Sequence, residues 1–177
     1  MADIISRSRS FDPLADGAME TAEPSYELIE LLFFAYRDFV QEADAVLLRY
    51  GFGRAHHRVL HFVSRNPGLK VAELLNILKI TKQSLGRVLR DLVEQGFVEA
   101  NEGAHDRRHR LLTATPRGQS LAAELAVLQS RRIAAALSVA GPGTEDAAAK
   151  FLTAMVNAEE RGAVTRLVKR PAAAGQA

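Results

Sequence analysis

The chain has 177 residues, of which 47% are hydrophobic, and its formal net charge is +2. A chain of this length and apolar content is expected to fold around a core of its own rather than to remain disordered. It contains no cysteine, which excludes a disulfide scaffold, a thiolate zinc site and a cysteine nucleophile. Because we find neither a membrane-spanning apolar run nor a secretory signal, we expect a cytoplasmic protein with no membrane partner.

The first predicted element is a long helix. Residues 1–24 show no periodic pattern and are predicted to form a flexible arm. Ser25 is expected to cap a helix that runs from Tyr26 to about Arg49. Its apolar residues cover more than one face, which indicates a helix that either crosses the centre of its own domain or meets another subunit.

Acidic side chains are concentrated around the start of this helix. The segment from Glu20 to Asp44 holds seven acids and one base, Arg37. A polyanionic partner would avoid this segment and favour the middle of the chain.

Three shorter helices follow, at 54–65, 71–78 and about 82–95, separated by turn residues. Thr81 is expected to cap the last of them. That helix has the clearest periodicity in the chain, with an apolar stripe opposite a polar face. The stripe consists of Leu85, Val88, Leu89, Leu92 and Val93. The polar face carries Gln83, Arg87, Arg90 and Glu94.

The period then changes to that of strands. Residues 97–100 and 110–115 predict a β-hairpin with a long basic loop. A Thr115-Pro116 pair predicts the start of a fifth helix, and a sixth is expected from Thr144 to about Val168. The sequence thus predicts a mainly α fold with a small β-hairpin wing.

This order of elements is that of a winged helix-turn-helix, an arrangement suited to duplex DNA. An α-helix fits the major groove, where glutamine can pair with adenine and arginine with guanine. We therefore expect Gln83 and Arg87 to read bases. Thr81, Lys82 and Ser84 suit phosphate or mixed contacts, whereas Arg90 lies further along and can pair with Glu94.

The hairpin supplies a second set of candidate contacts. Arg107, Arg108 and Arg110 lie on or beside its tip, and arginines on a projecting loop can enter the narrow minor groove. Asp106 is expected to orient one of them through an ion pair.

The segment from Gly53 to Gly118 resembles the MarR family of bacterial transcription regulators. The resemblance rests on VAELLNILKITKQSLGRVLRDLVEQGFVE from Val71, on HDRRHRLLTATPRG from His105, and on the long helices around them. The run HHRVLHFVSRNPG from His56 is similar to the PetP-like branch of that family.

The resemblance implies a homodimer that binds a pseudo-palindromic operator, and a small-molecule effector that lowers DNA affinity. It implies a winged helix-turn-helix at 53–118, dimerisation helices at 25–52 and 119–169, and a disordered tail at 170–177. The residues that it places in the dimer interface are Leu32, Phe33, Phe39, Phe151 and Met155.

Three alternatives stay open at this point. His56, His57 and His61 lie on one helix, and the last two have a spacing that can hold zinc in a metal-responsive regulator. A winged helix can also bind protein instead of DNA, although exposed arginines argue against this. Catalysis is disfavoured because no nucleophile has an evident base, and no cofactor motif is present.

Overall fold

The computed structural model describes residues 23–102 and 110–169. Seven helices and three strands lie within these ranges. In chain order they are α1 (Tyr26–Leu48), α2 (Arg54–Arg65), β1 (Leu69–Lys70), α3 (Val71–Leu78), α4 (Lys82–Glu94), β2 (Val98–Glu102), β3 (Arg110–Ala114), α5 (Pro116–Ala140), α6 (Thr144–Met155) and α7 (Ala158–Val168). This architecture confirms the predicted mainly α fold with a β-hairpin after the helix-turn-helix.

The hydrophobic core lies where the second half of α1, the helices α2 to α4, the sheet and the first half of α5 meet. Each element contributes through one apolar face, as amphipathic helices do. Completely buried leucines from five helices and one strand meet here: Leu47, Leu60, Leu74, Leu92, Leu112 and Leu125. The helix-turn-helix is therefore fixed to both α1 and α5.

The sheet has three antiparallel strands in the order β1-β3-β2. In the hairpin, Ala100 of β2 lies opposite Leu112 of β3, and Leu112 also lies opposite Leu69 of β1. Strand β1 was not predicted, because two residues are too few to show the alternation that indicates a strand.

The start of α5 packs closely against the turn between α4 and β2. The Thr115 hydroxyl donates to the Gly96 carbonyl at 2.7 Å and accepts from the Gly118 amide at 3.1 Å. A Cβ on Gly118 would lie 2.0 Å from the Phe97 carbonyl oxygen, so the close approach requires glycine. The predicted Thr115 cap is thus confirmed, and it joins the hairpin to α5.

The prediction of one continuous sixth helix is wrong, because two helices occupy this segment. The segment breaks at Val156, whose ψ of 138° is extended, and α7 begins after Asn157. Arg161 supports the break, since its guanidinium donates to the carbonyls of Ala154 at 2.8 Å and Val156 at 3.1 Å. These bonds satisfy acceptors that a continuous helix would have paired internally.

Two smaller expectations are also wrong. Ser25 occupies the N-cap position of α1, but its side chain makes no capping hydrogen bond. Val93 was expected in the buried stripe of α4, but 41% of its surface is exposed.

The described helices leave a large apolar surface uncovered. Residues 26–37 of α1 extend beyond the core and are exposed on every side, and α6 and α7 bury no residue. No helix in the described ranges combines the length and apolar character needed to span a membrane.

Candidate nucleic-acid interface

The N-terminus of α4 is held by a hydroxyl pair. The Thr81 Oγ1 accepts from the Ser84 amide at 3.1 Å, which confirms the predicted cap, and donates to Ser84 Oγ at 2.9 Å. The Ser84 hydroxyl proton therefore remains available to an external acceptor. The amides of Lys82 and Gln83 are in the first turn, where the helix supplies no acceptor. This end of α4 thus presents amides, a hydroxyl and the Lys82 ammonium together.

The exposed face of α4 holds the predicted base-reading side chains. Gln83, Arg87 and Arg90 all lie at the surface, whereas Leu85, Val88 and Leu92 on the opposite face are buried. Within the described ranges neither Arg87 nor Arg90 forms an ion pair. The predicted pairing of Arg90 with Glu94 is therefore absent there, and both guanidinium groups keep their donors for another molecule.

Only one of the predicted wing contacts can be located. Arg110 is exposed at the start of β3, in register with Glu102 of β2. Asp106, Arg107 and Arg108 belong to residues 103–109, which are outside the described ranges.

A contact between α2 and α4 was not foreseen. The His56 ring accepts at Nδ1 from the Gly53 amide at 3.1 Å, so its proton is on Nε2, which lies 3.1 Å from Asp91 Oδ2 of α4. The ring also stacks on Phe52 with centroids 4.7 Å apart. Asp91 is 35 residues from His56 in the sequence and comes close to it only through the fold.

These contacts remove His56 from the candidate metal site, since both of its ring nitrogens are engaged. The remaining pair, His57 and His61, has no third ligand: no group of three metal-ligating side chains exists among the described residues. Burial lowers the pKa of both imidazoles. The positive charge of His61 lowers the pKa of His57 further, and the positive charge of Arg65 does the same for His61. Asp44 acts in the opposite direction on the pKa of His57.

The candidate dimerisation side chains lie on two exposed surfaces. Leu32 and Phe33 of α1 are 40% and 68% exposed, and Phe151 and Met155 of α6 are each 51% exposed. Phe39 is half-buried, because α1 enters the core at Val40.

A cavity of about 440 Å³ opens between α1 and the start of α2. Arg54 lies at one side of this cavity, where its Nε donates to Asp44 Oδ2 at 2.9 Å. The other carboxylate oxygen of Asp44, Oδ1, is buried without a hydrogen-bond partner among the described residues. Charged and apolar side chains line it: Arg37, Asp38, Gln41, Asp44, Ala45, Leu48 and Arg54.

Comparison with known proteins gives consistent matches. Residues 50–109 match the model of the MarR family. The chain is 45% identical over 129 residues to the HTH-type transcriptional regulator PetP of Rhodobacter capsulatus, which covers 73% of this chain and 78% of PetP.

Two solved structures share the fold. A MarR protein from Peptoclostridium difficile is 18% identical with a TM-score of 0.65, and the match covers 85% of this chain and 96% of that one. NadR in complex with 4-hydroxyphenylacetate is 21% identical with a TM-score of 0.62, and the match covers 77% of this chain and 97% of NadR.

Proposed function

Since this chain belongs to the MarR family of transcriptional regulators, we propose that it binds duplex DNA as a homodimer at a pseudo-palindromic operator. Its relatives are transcriptional regulators, which confirms that the chain is not an enzyme. We assign the winged helix-turn-helix at 53–118 to DNA and the helices within 25–52 and 119–169 to dimer formation.

The observation that carries this proposal is the exposed face of α4. Its arginines have no ion pair among the described residues, and its N-terminus offers free amide donors beside Lys82. The buried opposite face fixes the helix rigidly to the core. Gln83 and Arg87 are one turn apart, so they can reach the edges of neighbouring base pairs in the major groove. Lys82, Ser84 and the first-turn amides are suited to phosphate oxygens.

The uncovered apolar surface of α1 and α6 supports the homodimer. Exposed patches of this kind on a folded chain mark interaction sites. A second copy related by a two-fold axis would cover Phe33 on α1 and Phe151 and Met155 on α6. It would also hold two copies of α4 about one helical turn of DNA apart, roughly 34 Å.

Selection of bound duplexes from a random pool tests this function. We expect enrichment of a near-palindromic sequence whose half-sites are about 10 base pairs apart. Recovery of duplexes without a shared motif, or no retention of duplex at low salt, would contradict specific DNA binding. The second result would favour a winged helix that binds protein.

We also propose that a small aromatic acid modulates DNA binding. Two observations support this: the cavity between α1 and α2 carries two arginines, and NadR was solved with 4-hydroxyphenylacetate. A carboxylate could compete with Asp38 or Asp44 for these guanidinium groups. Adding 4-hydroxyphenylacetate as the probe should weaken duplex binding, and Arg54→Gln should remove the effect. An unchanged affinity across a series of aromatic acids would contradict the proposal.

A further inference from the structure

Lys79 occupies an unusual position in the turn between α3 and α4. It ends α3 with a φ of 51°, and its amide donates to the Leu75 carbonyl at 2.9 Å. Among the described residues it is the only non-glycine residue with a positive φ. Glycine adopts this left-handed conformation without steric strain, because it has no Cβ atom. A lysine at this position therefore indicates that its side chain makes a specific contact.

That side chain reaches the last helix. Lys79 Nζ lies 2.6 Å from Glu160 Oε1 in the first turn of α7. Within the ranges that the structure describes, no other ion pair joins α7 to the segment 54–114. The contact therefore connects the turn of the helix-turn-helix to the C-terminal helices.

The backbone on each side of this ion pair has supporting contacts. On one side, Leu74 and Leu78 are buried and fix α3 to the core. On the other side, the Glu160 amide donates to the Asn157 carbonyl at 2.9 Å, and Arg161 closes the break between α6 and α7. The ion pair is partly exposed, with 62% of the Lys79 side chain and 34% of the Glu160 side chain accessible, and Lys79 is two residues before the cap of α4.

We propose that the Lys79–Glu160 ion pair is a positioning contact that sets the orientation of α4 relative to the dimer-forming helices. The inference rests on the proposed DNA binding. In a two-fold dimer the orientation of each α4 decides which half-site separation both copies can reach at once. Loss of the contact should therefore relax the preference for one separation, in addition to weakening binding.

The test compares duplexes with the selected half-site separation and duplexes in which it is changed by one base pair. We expect Glu160→Gln to reduce the ratio of the two affinities by about two- to fivefold, the range of an exposed ion pair. Glu159→Gln is the matched control, because Glu159 is exposed on the same turn of α7. This substitution removes the same charge but leaves the Lys79–Glu160 ion pair intact. Equal effects of the two variants would overturn the proposal, since net charge alone would then explain them.

Two further variants separate positioning from stability. Lys79→Gly removes the side chain and places glycine at a position with positive φ, which glycine adopts without strain. It should therefore reduce the ratio of the affinities for the two half-site separations while leaving the melting temperature unchanged or higher. The exchanged pair Lys79→Glu with Glu160→Lys should restore the ratio to within about twofold of wild type, even if overall affinity falls. If both Glu160→Gln and Lys79→Gly keep the affinity ratio of the wild type, only the positioning role is overturned. If the wild-type protein itself binds no duplex, the proposed function is overturned as well.

Discussion

Arg87 is the side chain on which base reading depends most directly in this account. It is exposed on α4, has no ion pair in the described part of the chain, and is placed one turn after Gln83. A bidentate arginine contact discriminates between base pairs, whereas a phosphate contact does not.

Replacing Arg87 with alanine should therefore cost about 1–3 kcal/mol at one base pair and relax the preference there. Anisotropy titrations against duplexes substituted at each position measure this effect. The matched control is Arg131→Ala, an exposed arginine on α5, which should leave the pattern of preference intact. A uniform loss across all duplexes would show instead that Arg87 contacts phosphate.

Single residues differ in how far the sequence could predict their roles. The caps at Thr81 and Thr115 were predictable, because a cap depends on residues within one turn. The bond between His56 and Asp91 was not, since it joins two helices far apart in the chain. The expected pair of Arg90 with Glu94 had the right spacing, but exposed side chains gain little from pairing and need not adopt it.

At the scale of elements, α4 depends on its cap in a way that α1 does not. Thr81 accepts a hydrogen bond from Ser84, whereas Ser25 makes no such bond. The two sites therefore form a natural pair of variant and control.

We expect Thr81→Ala to lower the free energy of unfolding by about 0.5–2 kcal/mol, because an amide of the first turn loses its acceptor. Ser25→Ala should change it by much less. Denaturant titrations without DNA measure both values. A larger effect at Ser25 would contradict the assigned capping geometry.

Helix periodicity located most elements but not their interruptions. The stripe on α4 predicted its bounds to within one residue, since a buried face repeats strictly. The break between α6 and α7 has no such signal, because both helices are exposed and Asn157 is tolerated in either state. The break is evident in the structure from the extended backbone of Val156 and from the bonds of Arg161 to the Ala154 and Val156 carbonyls.

At the scale of the molecule, the apolar surface of α1 is left without a partner in a single chain. Phe33 is 68% exposed, and the half of α1 around it makes no contribution to the core. The sequence indicated apolar residues on more than one face of α1. In the structure the division runs along the helix instead: Val40, Ala43 and Leu47 in its second half enter the core, whereas residues 26–37 stay exposed.

Phe33→Glu should convert the protein to monomers, because a second copy would have to bury an unpaired carboxylate. Sedimentation velocity measures the state. Val93→Glu is the control, since this partly exposed residue is on α4, outside the proposed interface, and should leave dimers intact. Dimers of unchanged stability in Phe33→Glu would place the interface elsewhere.

The most direct test of DNA reading by α4 is an amide chemical-shift map of the protein during titration with a selected duplex. We predict the largest shifts at Lys82, Gln83 and Ser84, with smaller ones near Arg110. Shifts confined to α1 and α6, with the first turn of α4 unchanged in the bound state, would contradict the account.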